Sequence, residues 1–153
     1  MKHLKYFKES VLNGHDIDDI VDDYLGCALW TSEEQNDDLD GKTIHDFSYE
    51  SRELAKSEMK WFVTVAGDAL DDMSDDQIGH DIWLTRNGHG SGFWDRGYDE
   101  DVEKILVKLS KELEFTDIYV GDDDLVYLSG EDRYKDFDFE KYKLEKTAKK
   151  YNL

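Results

Sequence analysis

The chain predicts an α+β fold, a small antiparallel β-sheet of three to four strands packed against two to four α-helices. Three observations carry that expectation. Apolar residues recur at helical spacing over 16–30, 49–70 and 99–115. Two short β-prone runs, DIYVG and LVYLS, flank a triplet of aspartates. Neither an internal repeat nor a proline interrupts the pattern. A length of 153 residues is about one domain's worth of chain. The expected division is a single acidic α+β body over 1–130 and a lysine-rich, helical tail over 131–153.

Residues 16–30, DIDDIVDDYLGCALW, set Ile17, Ile20, Val21, Tyr24, Leu25 and Ala28 on one helical face. Asp16, Asp19 and Asp23 share another, with Asp18 and Asp22 beside them, and Asp16 suits the N-cap. The polar stretch 31–47 reads as a loop. A second helix is expected from about Tyr49 to Leu70, burying Leu54, Met59, Trp61, Phe62, Val65 and Ala69. DDMSDDQIG follows as an acidic connector. HDIWLTR then reads as a short strand, NGHGSG as a glycine-rich turn and FWDRGY as the returning strand, so 79–98 looks like a hairpin with Trp83 inside. Asp99 to Phe115 is a helix with Val102, Ile105, Leu106, Leu109 and Leu113 inward. DIYVG and LVYLS pair as a hairpin through Asp122, Asp123 and Asp124. From about Asp138 the tail reads as a helix carrying Tyr142, Leu144, Ala148 and Tyr151.

Charge narrows the function classes. Thirty-eight acidic residues against nineteen basic ones give a formal −19. Residues 141–153 hold five lysines and one glutamate, which leaves −23 on the rest. Such a body repels nucleic acid and anionic membranes and attracts basic protein surfaces. Its Lys, Ile and Tyr content does not resemble a salt-adapted composition. Aromatic residues at 13% argue for a packed core rather than disorder. Without an apolar membrane span or signal-peptide core, and with Cys27 as the single cysteine, a cytoplasmic location is expected.

The motifs point away from catalysis. Gly88, Gly90 and Gly92 lie between two strand-like pieces, whereas a phosphate-binding GxGxxG opens a helix. His80, Asp81, His89 and Asp95 match no metal-ligand spacing. Asn36, Asp38, Asp40 and Gly41 imitate a calcium loop, but Phe47 stands where the bidentate carboxylate belongs. Cys27 sits near the apolar side of a helix beside Gly26, and Ser91 lacks the GxSxG elbow. No catalytic residue, metal or cofactor is expected. Two candidate sites remain. One is a partner-binding set of carboxylates, Asp16, Asp19, Asp22, Asp23, Asp71, Asp72, Asp75 and Asp76. The other is a ligand site in the central block, where Arg86, Asn87, His89, Trp94 and Arg96 offer stacking and donor groups.

The block GHDIWLTRNGHGSGFWDRG, with YLGCALW before it and IYVGDDDLVYL after it, resembles a family of small uncharacterised proteins of tailed bacteriophages and prophages. The resemblance spans roughly Tyr24 to Leu128 and leaves the lysine-rich tail outside. Family members often carry Phe where Ile82 stands and Ala where Ser91 stands. It implies a phage context but no chemistry. The first helix tolerates five aspartates in eight residues with no basic residue among them. Neighbouring side chains there lie about 5–6 Å apart, close to the charge spacing of a nucleic-acid backbone. The expected function is therefore a phage-encoded acidic inhibitor of the DNA-mimic type, serving host takeover or anti-defence. Its partner would be a basic, nucleic-acid-handling host protein, with no direct binding to DNA or membrane. The alternative is a protein that sequesters a small nucleotide-like ligand at the central block.

Overall fold

Asp16 opens the first long helix by accepting hydrogen bonds from the backbone N–H groups of Asp18 and Asp19, at 3.0 and 3.3 Å. Two of the helix's four orphan donors are thereby satisfied. The structure, a computed structural model, describes residues 11–152. Helix α1 runs Ile17–Ser32 and buries the apolar face anticipated for it, from Ile17 through Leu29. Three short 3₁₀ turns occupy 33–46, and Leu39 of the second is fully buried. Helix α2 spans Tyr49–Ala66, begun by the Ser48 side chain and ended at Gly67, whose φ of 52° is left-handed. A 3₁₀ turn, Gly67–Leu70, leads to helix α3, Asp75–Arg86. Helix α4 is Glu100–Glu112 and helix α5 is Phe139–Lys150.

The strands form two separate ribbons. Strands β1, Val11–Leu12, and β2, His15–Asp16, are joined by Asn13 and Gly14, both with positive φ. That is the signature of a type I′ turn, and the Asn-Gly pair supplies it. Strands β3, Ile118–Val120, and β4, Val126–Leu128, pair antiparallel as the sequence predicts, with Tyr119 opposite Tyr127. Ser48 donates its N–H to the Val126 carbonyl, and the Ser51 hydroxyl accepts from Leu128 N–H, pinning this ribbon to the start of α2. The α+β class holds. Five helices dominate the described residues, and the expected single sheet of three to four strands is replaced by two two-stranded ribbons.

The main correction falls on 79–98. HDIWLTR is the second half of α3, not a strand. A short apolar run reads alike as a strand or as a helix buried on several sides, and α3 is buried on several sides. Ile78, Ile82, Trp83 and Leu84 are in the core, and Thr85 and Arg86 are buried with them. NGHGSG is not a hairpin turn but a helix C-terminus. His89 N–H reaches back to the Leu84 carbonyl at 3.1 Å and Gly88 N–H to Thr85 at 3.3 Å, with Gly88 at φ 69°. This is a Schellman cap, which needs the left-handed glycine. FWD forms a 3₁₀ turn that drives Phe93 into the core, stacked on Phe62 at 6.0 Å. Smaller departures follow helix rotation. Ile105 is 44% exposed, outside the α4 stripe, and Leu144 and Tyr151 lie exposed on the tail.

The segment before α5 packs on α2. Tyr134 stacks on Trp61 at 4.4 Å, and the Lys60 ammonium lies over the Phe139 ring.

A buried polar hub joins the four central helices. Arg86, 5% exposed, donates from Nη1 to Tyr24 Oη of α1 at 2.7 Å and to Glu58 Oε1 of α2 at 3.0 Å. Its Nε and Nη2 donate to the Glu114 and Leu113 carbonyls at the end of α4, at 2.7 and 2.6 Å. Burial pushes the Glu58 carboxyl above its ordinary value, and the Arg86 guanidinium opposes that shift. Removing one partner of a buried pair leaves the other uncompensated. Arg86→Ala should therefore cost about 3–5 kcal/mol of unfolding free energy by urea denaturation. Pairing it with Glu58→Gln should recover part of that loss, and strict additivity of the two would show that the pair is not coupled.

Candidate functional site

Helices α1 and α3 pack against each other along their lengths, and their contact brings two distant acidic segments together. Gly79 makes the approach possible. A Cβ there would collide with the Ile20 carbonyl oxygen and stand 2.8 Å from the Tyr24 nitrogen. Asp75, at the first position of α3, fastens the N-terminal end of the pair. Its carboxylate accepts from Asp16 N–H at 3.1 Å and meets His15 Nδ1 at 2.8 Å.

One continuous carboxylate face results, formed by Asp16, Asp19 and Asp23 of α1 with Asp75 and Asp76 of α3. The charges there feel one another. Asp19 is held above its ordinary value by the neighbouring carboxylate of Asp16, then by partial desolvation, Asp75, Asp22 and Asp18. Asp23 is raised by burial first, then by Asp76, Asp19 and Asp22. Asp76 goes the other way, lowered chiefly by a hydrogen bond from the Ser74 side chain. Among the described residues, neither Asp19 nor Asp23 makes a salt bridge.

The other acidic candidates lie apart from this cluster. Asp22 turns to α2, where the Arg52 guanidinium donates to it at 3.0 and 2.8 Å. Asp71 borders a groove that it shares with Asp68 and with Lys143, Lys146 and Lys150 of α5. Asp72 is exposed on the turn before α3.

The central-block candidates are distributed differently. Arg86 is the buried hub. Arg96 clamps Asp81, which is wholly buried, through Nε and Nη2 at 3.0 and 2.6 Å, and Gln77 adds a third donor to the same carboxylate. Asn87 caps Thr116 N–H with its carbonyl oxygen and returns its amide to Trp83. His89 and Trp94 keep partial exposure. The guanidinium groups of this block thus hold the fold together, Arg86 from the interior and Arg96 from a partly exposed position. Trp83 is core, edge-on to Tyr24 and donating its indole N–H to Thr31.

The calcium-like stretch is built of caps. Asn36 accepts from Asp38 N–H, and Asp46 closes a capping box with Thr43. Among the described residues, no three His, Cys, Asp or Glu side chains converge as a metal set would. Burial, with Asp81 nearby, pushes the Cys27 thiol up to about 12, far from a thiolate nucleophile. Among the described residues, no helix is long and apolar enough to cross a membrane.

Sequence reasoning missed one feature of the face. Trp30, 66% exposed, continues the line of Asp16, Asp19 and Asp23 along α1 and stacks on His80 of α3 at 6.0 Å. A tryptophan on the acidic side of an amphipathic helix was the available signal. No protein-family model matches the chain, and neither a curated protein nor a solved structure does.

Because the folded chain holds protons on Asp19 and Asp23 more tightly than the unfolded chain does, their contribution to stability is present at low pH. It is lost as pH rises through their raised values. Asn resembles the protonated form. The double variant Asp19→Asn, Asp23→Asn should therefore melt about 1–4 °C above the parent at pH 7. That advantage should vanish below the ordinary carboxylate range, near pH ~3.9. Melting curves across pH check this, and an advantage independent of pH would refute charge repulsion as its cause.

Proposed function

We propose that the protein is an acidic inhibitor that binds a basic, nucleic-acid-handling protein through the α1–α3 face, in the place DNA would take. The observation that carries this reading is the convergence of carboxylates from two segments about sixty residues apart onto one surface, where they repel one another. Like charges at helical spacing each cost some tenths of a kcal/mol, so a face that concentrates them holds a standing destabilisation. A cationic partner relieves it. Release of that repulsion adds to the attraction, and the excess of −23 outside residues 141–153 steers a basic surface toward contact. The same charge keeps the protein itself off DNA. The resemblance to tailed-phage and prophage proteins supports a setting in an infected bacterial cell, where disabling a host factor serves takeover or anti-defence. The internal satisfaction of Arg86 and Arg96 weighs against the nucleotide-sequestering alternative.

Immobilised protein should capture a basic bacterial protein at low salt and release it both as salt is raised and on addition of duplex DNA. Screening over a Debye length of about 8 Å at 0.15 M sets the salt range. The Asp19→Asn, Asp23→Asn variant, which keeps its fold, should lose about tenfold or more in affinity for that protein. Equal binding by parent and variant, or a captured partner that DNA does not displace, would overturn the proposal.

A further inference from the structure

The acidic face ends in a slot between α1 and α3, and its shape and chemistry differ from the rest of that surface. Asp23, Gly26 and Trp30 form one wall, Asp76, Gln77 and His80 the other, and the buried Cys27 lies at the floor. At i, i+3 and i+7 along α1, Asp23, Gly26 and Trp30 fall in one row about 10 Å long. Asp76 and His80 repeat the order on α3 one turn apart. Both walls therefore run from a carboxylate at one end to an aromatic ring at the other. Gly26 has no side chain at the middle of the row, so the slot stays open there.

On the acidic-face reading above, we propose that this slot receives one arginine side chain of the basic partner, its stem along Trp30 and its guanidinium between Asp23 and Asp76. Size and polarity select that occupant. At about 290 Å³, the cavity lies at the lower edge of what small-ligand sites occupy and is open to a side chain. An arginine is long, apolar along its stem and charged at its head, which matches the run from ring to carboxylates. Carboxylates on two different helices suit the planar fork of a guanidinium better than the point charge of an ammonium. The Trp30 ring at the other end adds apolar contact along the stem. Burial and Asp76 already raise Asp23 above its ordinary value, so a cation placed there also relieves a repulsion the fold maintains. Trp30 then acts as the anchor of the interface, the role in which an exposed tryptophan in a cleft is most effective.

Three peptides of one length test this on the full chain, alternating glycine with arginine, lysine or uncharged citrulline. Binding is followed by the indole N–H resonances of the four tryptophans, with Trp30 assigned through Trp30→Phe. The arginine peptide should shift the Trp30 resonance most and bind severalfold tighter than the lysine peptide, and the citrulline peptide should not bind. Trp30→Ala should weaken arginine-peptide binding about tenfold and leave the melting temperature unchanged, since the ring is mostly exposed. Equal affinity for arginine and lysine peptides, with no effect of Trp30→Ala, would sink the slot while leaving a diffuse acidic face. Failure of both cationic peptides to bind at low salt would overturn the face and the slot together.

Discussion

Arg86 is the constraint on which the rest of the architecture depends. Its guanidinium sits where α1, α2, α3 and the end of α4 meet, and each of its three nitrogens donates to one or more of them. A charge of that kind is tolerated in an interior only when its donors are fully engaged. Tyr24, Glu58 and the two carbonyls do so, and this sets the depth at which the four helices converge. The α4 carbonyls are ones a helix terminus would otherwise leave without a partner. Arg133 reinforces the same terminus from outside, donating to the Leu113 carbonyl at 2.7 Å. An apolar residue at 86 would fill the volume but orient nothing.

From that anchoring follows the placement of the acidic face. With α3 held at its C-terminal end by Arg86 and at its N-terminal end by Asp75, its rotation relative to α1 is set at both ends. Gly79 then lets the backbones come close in between. Asp75 and Asp76 are thereby brought beside Asp16, Asp19 and Asp23. A looser crossing would let those carboxylates separate and hydrate. The repulsion is a consequence of interior packing, and it is maintained on a surface that makes no contribution to the core. Stability and surface charge are thus opposed across a single helix pair, the pattern expected where function and folding make different demands.

The slot at Trp30 extends that logic from charge to shape. Diffuse acidity attracts any basic surface, whereas a ring and two carboxylates at opposite ends of a groove discriminate among cations. On the proposed function, long-range attraction sets encounter and the slot selects which partner stays. The lysines of α5 stand on another side, across a groove from Asp68 and Asp71, so the chain's own basic segment faces a different part of its acidic surface.

Much of the fold was legible without coordinates. Ile17 to Ala28 at helical spacing, the α4 row of Leu106, Leu109 and Leu113, and the ribbon from Ile118 to Leu128 all appear where their periodicity puts them, because each has one wet and one dry side. The Asn13-Gly14 turn is legible too, since few residue pairs accept two consecutive positive φ values. Helix α3 was not, because burial on several sides erases the contrast from which a period is read. The cap at Gly88 likewise looks in sequence like any glycine turn. Amino-acid composition determined that the protein is acidic and rich in aromatic residues, and residue order that its first helix bears a row of aspartates. Only the tertiary structure decided which arginines are interior, which aspartates stand together and that Trp30 lines a slot with His80. Those facts depend on contacts between residues on different elements of the fold, and no local pattern encodes how two helices cross.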